Sequence, residues 1–335
     1  MYGQLICHWR RVWDRNAQKS VVVIKMSNKP NNVSGGTRNQ AAVRNLTGWV
    51  VESVGHSVAA FRYSSAYLAV IAVVQVLLVT RALSLDVTFA PVVVGLVTFA
   101  VYLGDRIADA DTDAETTPER AAFIQQHEHA LNHAVSLSYG VAVALAVLGG
   151  PYALALTLLP GVFWVLYASN WLPTITAQFR RLKDVLLVNS LVVAFAWAVT
   201  LTALPLAFAG ASVTPAAIVV FAYFFLSIFV NVEIPNVRDA EGDSAIGVET
   251  LPVVFGVTRT RRILYAIDIV TALIVVVAGA QGLLAPVFVA ALLVGLAFSL
   301  CVTSLVGRTA HDDVLTLAAE SEYLVVAIAL IPAAL

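Results

Sequence analysis

The stretch APVVVGLVTFAVYLGDRIADADTDAETTPER, residues 90–120, decides the fold. Its first half carries no charge, and runs such as VVVGLVTFAVYL do not alternate apolar with polar residues. A β-barrel strand would alternate with period two over ~10 residues. A run of roughly 20 apolar residues instead matches one helix across a ~30 Å hydrocarbon core. The second half of the stretch turns abruptly acidic. A second segment, PNVRDAEGDSAIGVETLP (235–252), repeats the pattern after another apolar run. The chain has 21 acidic residues; seven lie in 105–128 and five in 233–249. Acidic side chains beside a bilayer are costly and are commonly kept for a task.

Working outward, apolar segments recur along the 335 residues. Nine are expected, at about 64–83, 86–104, 132–149, 151–168, 184–207, 212–233, 262–281, 284–305 and 318–335. The composition is 59% hydrophobic and 12% charged with mean hydropathy +0.84, against about 25% charged in a soluble domain. The expected fold is an all-α polytopic membrane protein, a bundle of about nine transmembrane helices.

Lys and Arg set its orientation. With the N-terminus inside, one set of loops holds Arg106, Arg120, Arg180, Arg181, Lys183, Arg238, Arg259, Arg261, Arg262 and Arg308, and the other holds only Arg81. This positive-inside bias places the protein in the cell membrane, with both acidic motifs at the cytoplasmic ends of helices 2 and 6. Asp109 and Asp239, and likewise Asp113 and Asp243, are 130 residues apart. That register suggests two pseudo-repeated halves whose acidic motifs face each other. Residues 1–45 read as a disordered basic tail touching anionic lipid, with Met26 an alternative start that would make 1–25 an annotation artefact. Residues 46–335 read as one membrane domain, beginning with an amphipathic surface helix at 46–62. Cys7 and Cys301 form no recognisable framework. Nothing points to a nucleic-acid partner at a net charge of −1.

Asp105, Asp109 and Asp113 are spaced i, i+4, i+8, and Asn236, Asp239 and Asp243 i, i+3, i+7. Each set shares one helix face. Stacked carboxylates repel one another and require a counter-charge. Mg²⁺ suits them, because it takes oxygen ligands and is usually shared between carboxylates and phosphates. One such cluster alone reads as a solvated acidic loop; two in register read as a divalent-metal site able to hold a diphosphate.

At this point the chain resembles the UbiA-type intramembrane prenyltransferases. Their first motif, Asn-x3-Asp-x3-Asp running on toward Pro and Arg, is matched by Asp105, Asp109, Asp113, Pro118 and Arg120. Their second, Asp-x2(or 3)-Asp-x3-Asp followed by Gly and Thr-Leu-Pro, is matched by Asn236, Asp239, Asp243, Gly247, Thr250, Leu251 and Pro252. Residues 180–199 look like the family's loop into its fifth helix. Two departures exchange charge: Asp105 stands where the family has Asn, and Asn236 where many members have Asp.

The resemblance implies Mg²⁺-dependent transfer of a prenyl group from a polyprenyl diphosphate to a lipophilic acceptor. Quinone precursors, ether lipids, carotenoids and tetrapyrroles all remain open as acceptors. Asp105, Asp109, Asp113, Asn236, Asp239 and Asp243 would hold the metal, with Asp109 and Asp239 the catalytic pair. Arg120, Lys183, Arg181 and Arg238 would bind the diphosphate. The two departures keep a same-fold terpene cyclase or an inactive relative open as alternatives. A cation or metabolite transporter fits less well, because transporter sites usually lie near the midplane on broken helices.

Other residues invite chemistry too. His127, His129 and His133 have partial zinc spacing on a surface helix. Asp268 lines the cavity or bonds a neighbouring helix. Trp164, Tyr167, Trp171 and Trp197 suit a cation or prenyl tail, or the membrane interface.

Overall fold

The computed structural model describes residues 60–61, 63–111, 114, 117–168, 188–246, 248–309 and 312–331. The expected tail (1–45), most of the surface helix at 46–62, Asp113, Arg181, Lys183 and Trp171 lie outside these residues, as does the side chain of Tyr167.

The described chain is helical throughout. Its elements are α1 (Ala66–Ala82), α2 (Ala90–Ala108), α3 (Pro118–Ala146), α4 (Gly150–Ala168), α5 (Val188–Phe208) and α6 (Pro215–Ile246), then α7 (Leu251–Phe255), α8 (Val257–Ala280), α9 (Pro286–Leu305), α10 (Asp312–Glu320) and α11 (Glu322–Leu330). Proline stands in the first turn of α2, α3, α7 and α9, where its missing N–H removes no helix bond. Gly150 (φ +83°) and Gly256 (φ +76°) supply the left-handed backbone at two sharp junctions.

Six helical stretches among the described residues are long and apolar enough to cross a membrane. One of them, Pro118–Trp164, covers 47 residues and is a hairpin broken by a 3₁₀ turn at Val147–Gly149. Its arms run antiparallel, since Tyr139 Oη donates to the carbonyls of Thr157 and Leu158 at 3.4 Å. Two of the nine expected spans look different here. Ala66–Ala82 is apolar but only 17 residues long. The last, 318–335, is interrupted at Ser321, whose Oγ donates back to the Leu317 carbonyl at 2.7 Å and so loosens the helix.

The helices pack in chain order (α1 on α2, α2 on α3, and so on through α6, α8, α9 and α11), and α11 packs back on α1 to close the ring. The fifth helix also crosses to α1 and α2. The interior holds Val76, Val79, Val93, Val97, Leu201, Leu204, Phe224 and Leu296, all at most 2% exposed. The outer face is equally apolar: Ile269, Val270, Leu273, Val276 and Val277 of α8 are exposed. An apolar exterior around an apolar interior is the signature of a lipid solvent, since soluble proteins rarely expose such contiguous patches.

With lipid outside, helix association rests on close packing and on interhelical hydrogen bonds. Gly295 shows the first device: a Cβ there would collide with Val326 Cγ2 across the α9–α11 contact. Glu322, fully buried, shows the second. Tyr223 Oη donates to its Oε1 at 2.8 Å and Ser227 Oγ to its Oε2 at 2.7 Å, tying α6 to α11. Asp268, 1% exposed, accepts from Ser299 Oγ at 3.1 Å and so bonds α8 to α9 rather than facing the interior space.

Gly295→Ala is expected to lower stability by about 1–3 kcal/mol through overpacking, seen as a fall in the thermal-unfolding midpoint in detergent. Gly140→Ala, where a new Cβ meets nothing within 4 Å, is expected to leave that midpoint in place or raise it. Tyr223→Phe removes one of two hydroxyl donors from a buried carboxylate and is expected to destabilise by about 1–3 kcal/mol in the same assay.

Candidate functional site

The ring of helices encloses one large cavity of about 680 Å³. Residues of both acidic motifs line it. The second helix ends at Ala108, and the Asp109 amide closes its last turn on the Asp105 carbonyl at 2.9 Å. The i, i+4 spacing therefore falls on the final helical turn, and Asp105 and Asp109 both line the cavity. Asn236 and Asp239 line it from α6. Four of the six residues expected to hold metal thus border one space. Asp243 does not line it, although it remains within electrostatic reach of Asp239. Asp113 lies outside the described residues.

Each of these groups is held by neighbours. Trp164 Nε1, from α4, donates to Asp105 Oδ1 at 3.2 Å. Asn236 Nδ2 donates to Glu233 Oε2 at 3.2 Å and to Ser190 Oγ at 3.5 Å, which anchors α6 to α5 just below the motif. Arg238 grips its neighbour Asp239 bidentately, with Nε to Oδ1 and Nη2 to Oδ2 both at 2.7 Å. Pro235 sits inside α6 and also lines the cavity; lacking an N–H, it leaves the Asn231 carbonyl without its usual helical donor.

Arg120, in the first turn of α3, lines the cavity as expected. Arg238 lines it too but is engaged with Asp239. Arg181 and Lys183 lie outside the described residues. Among the described lining residues five are acidic (Asp105, Asp109, Glu119, Asp239, Glu320) and three basic (Arg106, Arg120, Arg238), so the space favours cations. No three His, Cys, Asp or Glu side chains among the described residues converge closely enough to form a ready-made metal cage. The oxygen donors instead stand on facing walls. His127, His129 and His133 are exposed on α3, away from this space.

Several lining residues carry no motif. Arg106 donates from Nη1 to the Tyr63 carbonyl at 2.9 Å and lies 5.9 Å from the Tyr67 ring centroid. Tyr63 Oη donates to Glu119 Oε2 at 3.0 Å, linking the chain before α1 to α3. Tyr102 stacks on Trp197, with centroids 5.6 Å apart and planes 17° apart. With Trp164, Phe163, Val193 and Ala196 these rings give the cavity an apolar and aromatic wall beside its charged residues. Trp164 and Trp197 were legible as candidates from aromatic content. Tyr67, Tyr102, Arg106, Asn231 and Glu320 have no sequence signal that separates them from ordinary helix residues; only the closing of the ring brings them to the cavity.

The UbiA prenyltransferase family model matches residues 49–317. Compared with curated proteins by sequence, the chain matches none. Solved structures are more informative. A UbiA homologue from Aeropyrum pernix K1 is 15% identical, with a TM-score of 0.59 over 81% of this chain and 98% of that one. A UbiA homologue from Archaeoglobus fulgidus, bound to GPP and Mg²⁺, is 14% identical, with a TM-score of 0.59 over 82% and 98%. A digeranylgeranylglyceryl phosphate synthase is 13% identical, with a TM-score of 0.53 over 84% and 96%. These likenesses establish a shared helical fold at sequence identities too low to carry more. With the family match extending over residues 49–317, they identify this multi-pass membrane protein as a member of the UbiA prenyltransferase family.

Proposed function

We propose that the protein transfers a prenyl group from a polyprenyl diphosphate to a lipophilic acceptor, with Mg²⁺ held between the two acidic motifs. One observation carries this reading: Asp105 and Asp109 at the end of α2 and Asn236 and Asp239 of α6 line a single cavity that also has an aromatic and apolar wall. The donor set is all oxygen, which suits Mg²⁺. Donors on facing walls, rather than a closed cage, suit an ion that keeps waters and shares phosphate oxygens. The binding of GPP and Mg²⁺ by the similarly folded Archaeoglobus homologue supports the assignment.

In this reading Asp109 and Asp239 are the central ligands, and Asp105, Asn236, Asp113 and Asp243 complete the two motifs. Mg²⁺ bound there would supply positive charge to the diphosphate as it leaves. Arg120 adds a fixed cation at the same rim, and Lys183 and Arg181 are further candidates from the 180–199 segment. The stacked pair Tyr102 and Trp197, with Trp164, offers π-faces to the allylic cation formed when the C1–O bond breaks. The apolar wall below keeps water from that cation, so that it meets the acceptor first. The Lys/Arg distribution puts the rim on the cytoplasmic side of the cell membrane. Residues 46–335 form one catalytic domain and 1–45 a basic tail.

The Arg238–Asp239 pair has a consequence of its own. For Asp239 to give both oxygens to a metal, Arg238 has to swing away, which frees it to meet the diphosphate.

Membranes containing the protein, incubated with labelled geranylgeranyl diphosphate, Mg²⁺ and native membrane lipids, are expected to release pyrophosphate and form a prenylated lipid. Pyrophosphate release without acceptor consumption would indicate a cyclase. No release at all would contradict the proposal. Asp109→Ala and Asp239→Ala are each expected to reduce turnover by at least about 10²-fold, the scale of losing a principal electrostatic contributor. Arg238→Ala is expected to lower the Mg²⁺ concentration giving half-maximal rate, because Asp239 loses a competing cation, while raising KM for the diphosphate.

A further inference from the structure

Glu320 is an acid that neither motif uses. It closes α10, on a different helix from both motifs, and lines the large cavity. It also lines a smaller cavity of about 30 Å³ that shares Tyr102, Trp197, Asn231 and Val232 with the large one. Glu320 therefore stands at a waist between the two spaces, where Tyr102 and Trp197 form the aromatic side. No Arg, Lys or His among the described residues lines the smaller space. Among the described residues the cation acting on Glu320 is Arg106, and the neighbouring carboxylate of Glu322 acts against it. A carboxylate in an apolar wall is costly to keep there.

A second observation converges on the same place. Asn231, 3% exposed, lines both spaces and donates from Nδ2 to Tyr323 Oη at 3.3 Å. Tyr323 is itself fixed by Ser227, at 3.0 Å, and Ser227 by Glu322. This anchored chain commits the amide N–H, while Oδ1 of Asn231 is buried with no hydrogen-bond partner. The waist thus offers two acceptors, a carboxylate and an amide oxygen, and no cation from below. A ligand group that satisfies both must bring a proton.

Resting on the prenyl-transfer reading, we infer that the waist is the acceptor subsite, that it takes a hydroxyl-bearing lipid head (an alcohol or a phenol), and that Glu320 is the base that receives its proton. The bonding balances. The prenyl C1–O bond breaks with its electron pair going to the diphosphate, the acceptor nucleophile forms the new bond to C1, and the acceptor's proton moves to the Glu320 carboxylate. Asn231 Oδ1 orients the hydroxyl before transfer. Acceptors without a hydroxyl, such as hydrocarbon chains, and those with an anionic head beside Glu320 are disfavoured.

The test uses the full-length protein in liposomes with labelled geranylgeranyl diphosphate, Mg²⁺ and a total lipid extract of the native membranes. In a parallel arm the hydroxyls of that extract are capped with acetic anhydride. Glu320→Gln is expected to lower kcat for prenyl-lipid formation by about 10²-fold or more, the usual scale of general-base catalysis, with KM for the diphosphate unchanged. Glu320→Asp is expected to recover activity to within about tenfold of wild type. Binding of a non-hydrolysable geranylgeranyl thiodiphosphate with Mg²⁺ is expected to stay intact in both variants, which also reports that they are folded. The acetylated extract is expected to yield no prenylated lipid with the wild type. Wild-type rates in Glu320→Gln, loss of thiodiphosphate binding in it, or full acceptance of the acetylated extract would each overturn the inference. A wild type that releases no pyrophosphate would sink the parent reading, and this one with it.

Discussion

The structure is governed by the cost of keeping carboxylates inside a lipid-dissolved bundle. Away from the cavity, buried acids are answered by neutral donors: Glu322 by Tyr223 and Ser227, Asp268 by Ser299, Glu233 by the Asn236 amide. The bonds to Glu322 and Asp268 cross between helices and so double as the links that hold the ring together where the hydrophobic effect cannot. At the cavity the answer is different. Asp105 meets an indole N–H and Asp239 a guanidinium that sits next to it in the chain, while acids outnumber bases among the described lining residues. That imbalance is what bound divalent cations would offset.

Closure of the ring makes the imbalance useful. Sequential packing alone would give an open sheet of helices; α11 returning to α1 turns it into an enclosure. The acids then line a confined volume whose wall also carries Tyr102, Trp197 and Trp164. The break at Ser321 fits the same logic, because it ends α10 at Glu320, on the cavity wall, and starts α11 at the saturated Glu322.

Much of this was legible in the sequence, for identifiable reasons. Apolar runs without alternation leave only helices as membrane-crossing elements, and the abrupt acidity after Gly104 marks where α2 ends. Helical periodicity put Asp105 with Asp109, and Asn236 with Asp239, on shared faces, and the family motifs paired the two sets. Less legible were features set by contact across the ring. Nothing local shows that Asp243 falls away from the lining while Asn231, about three turns earlier on α6, enters it. Nor does spacing reveal that Arg238 turns onto its neighbour Asp239. The last apolar run, 318–335, reads as continuous because hydropathy averages over the back-bonding of a single serine.

Crystals grown with Mn²⁺ and a non-hydrolysable prenyl thiodiphosphate, measured at the manganese absorption edge, would show whether both acidic motifs hold metal around one diphosphate. Anomalous peaks are expected between Asp109 and Asp239, with the thiodiphosphate bridging them and its chain running along Trp197. Manganese bound at one motif only, or a thiodiphosphate seated outside the ring, would contradict that arrangement.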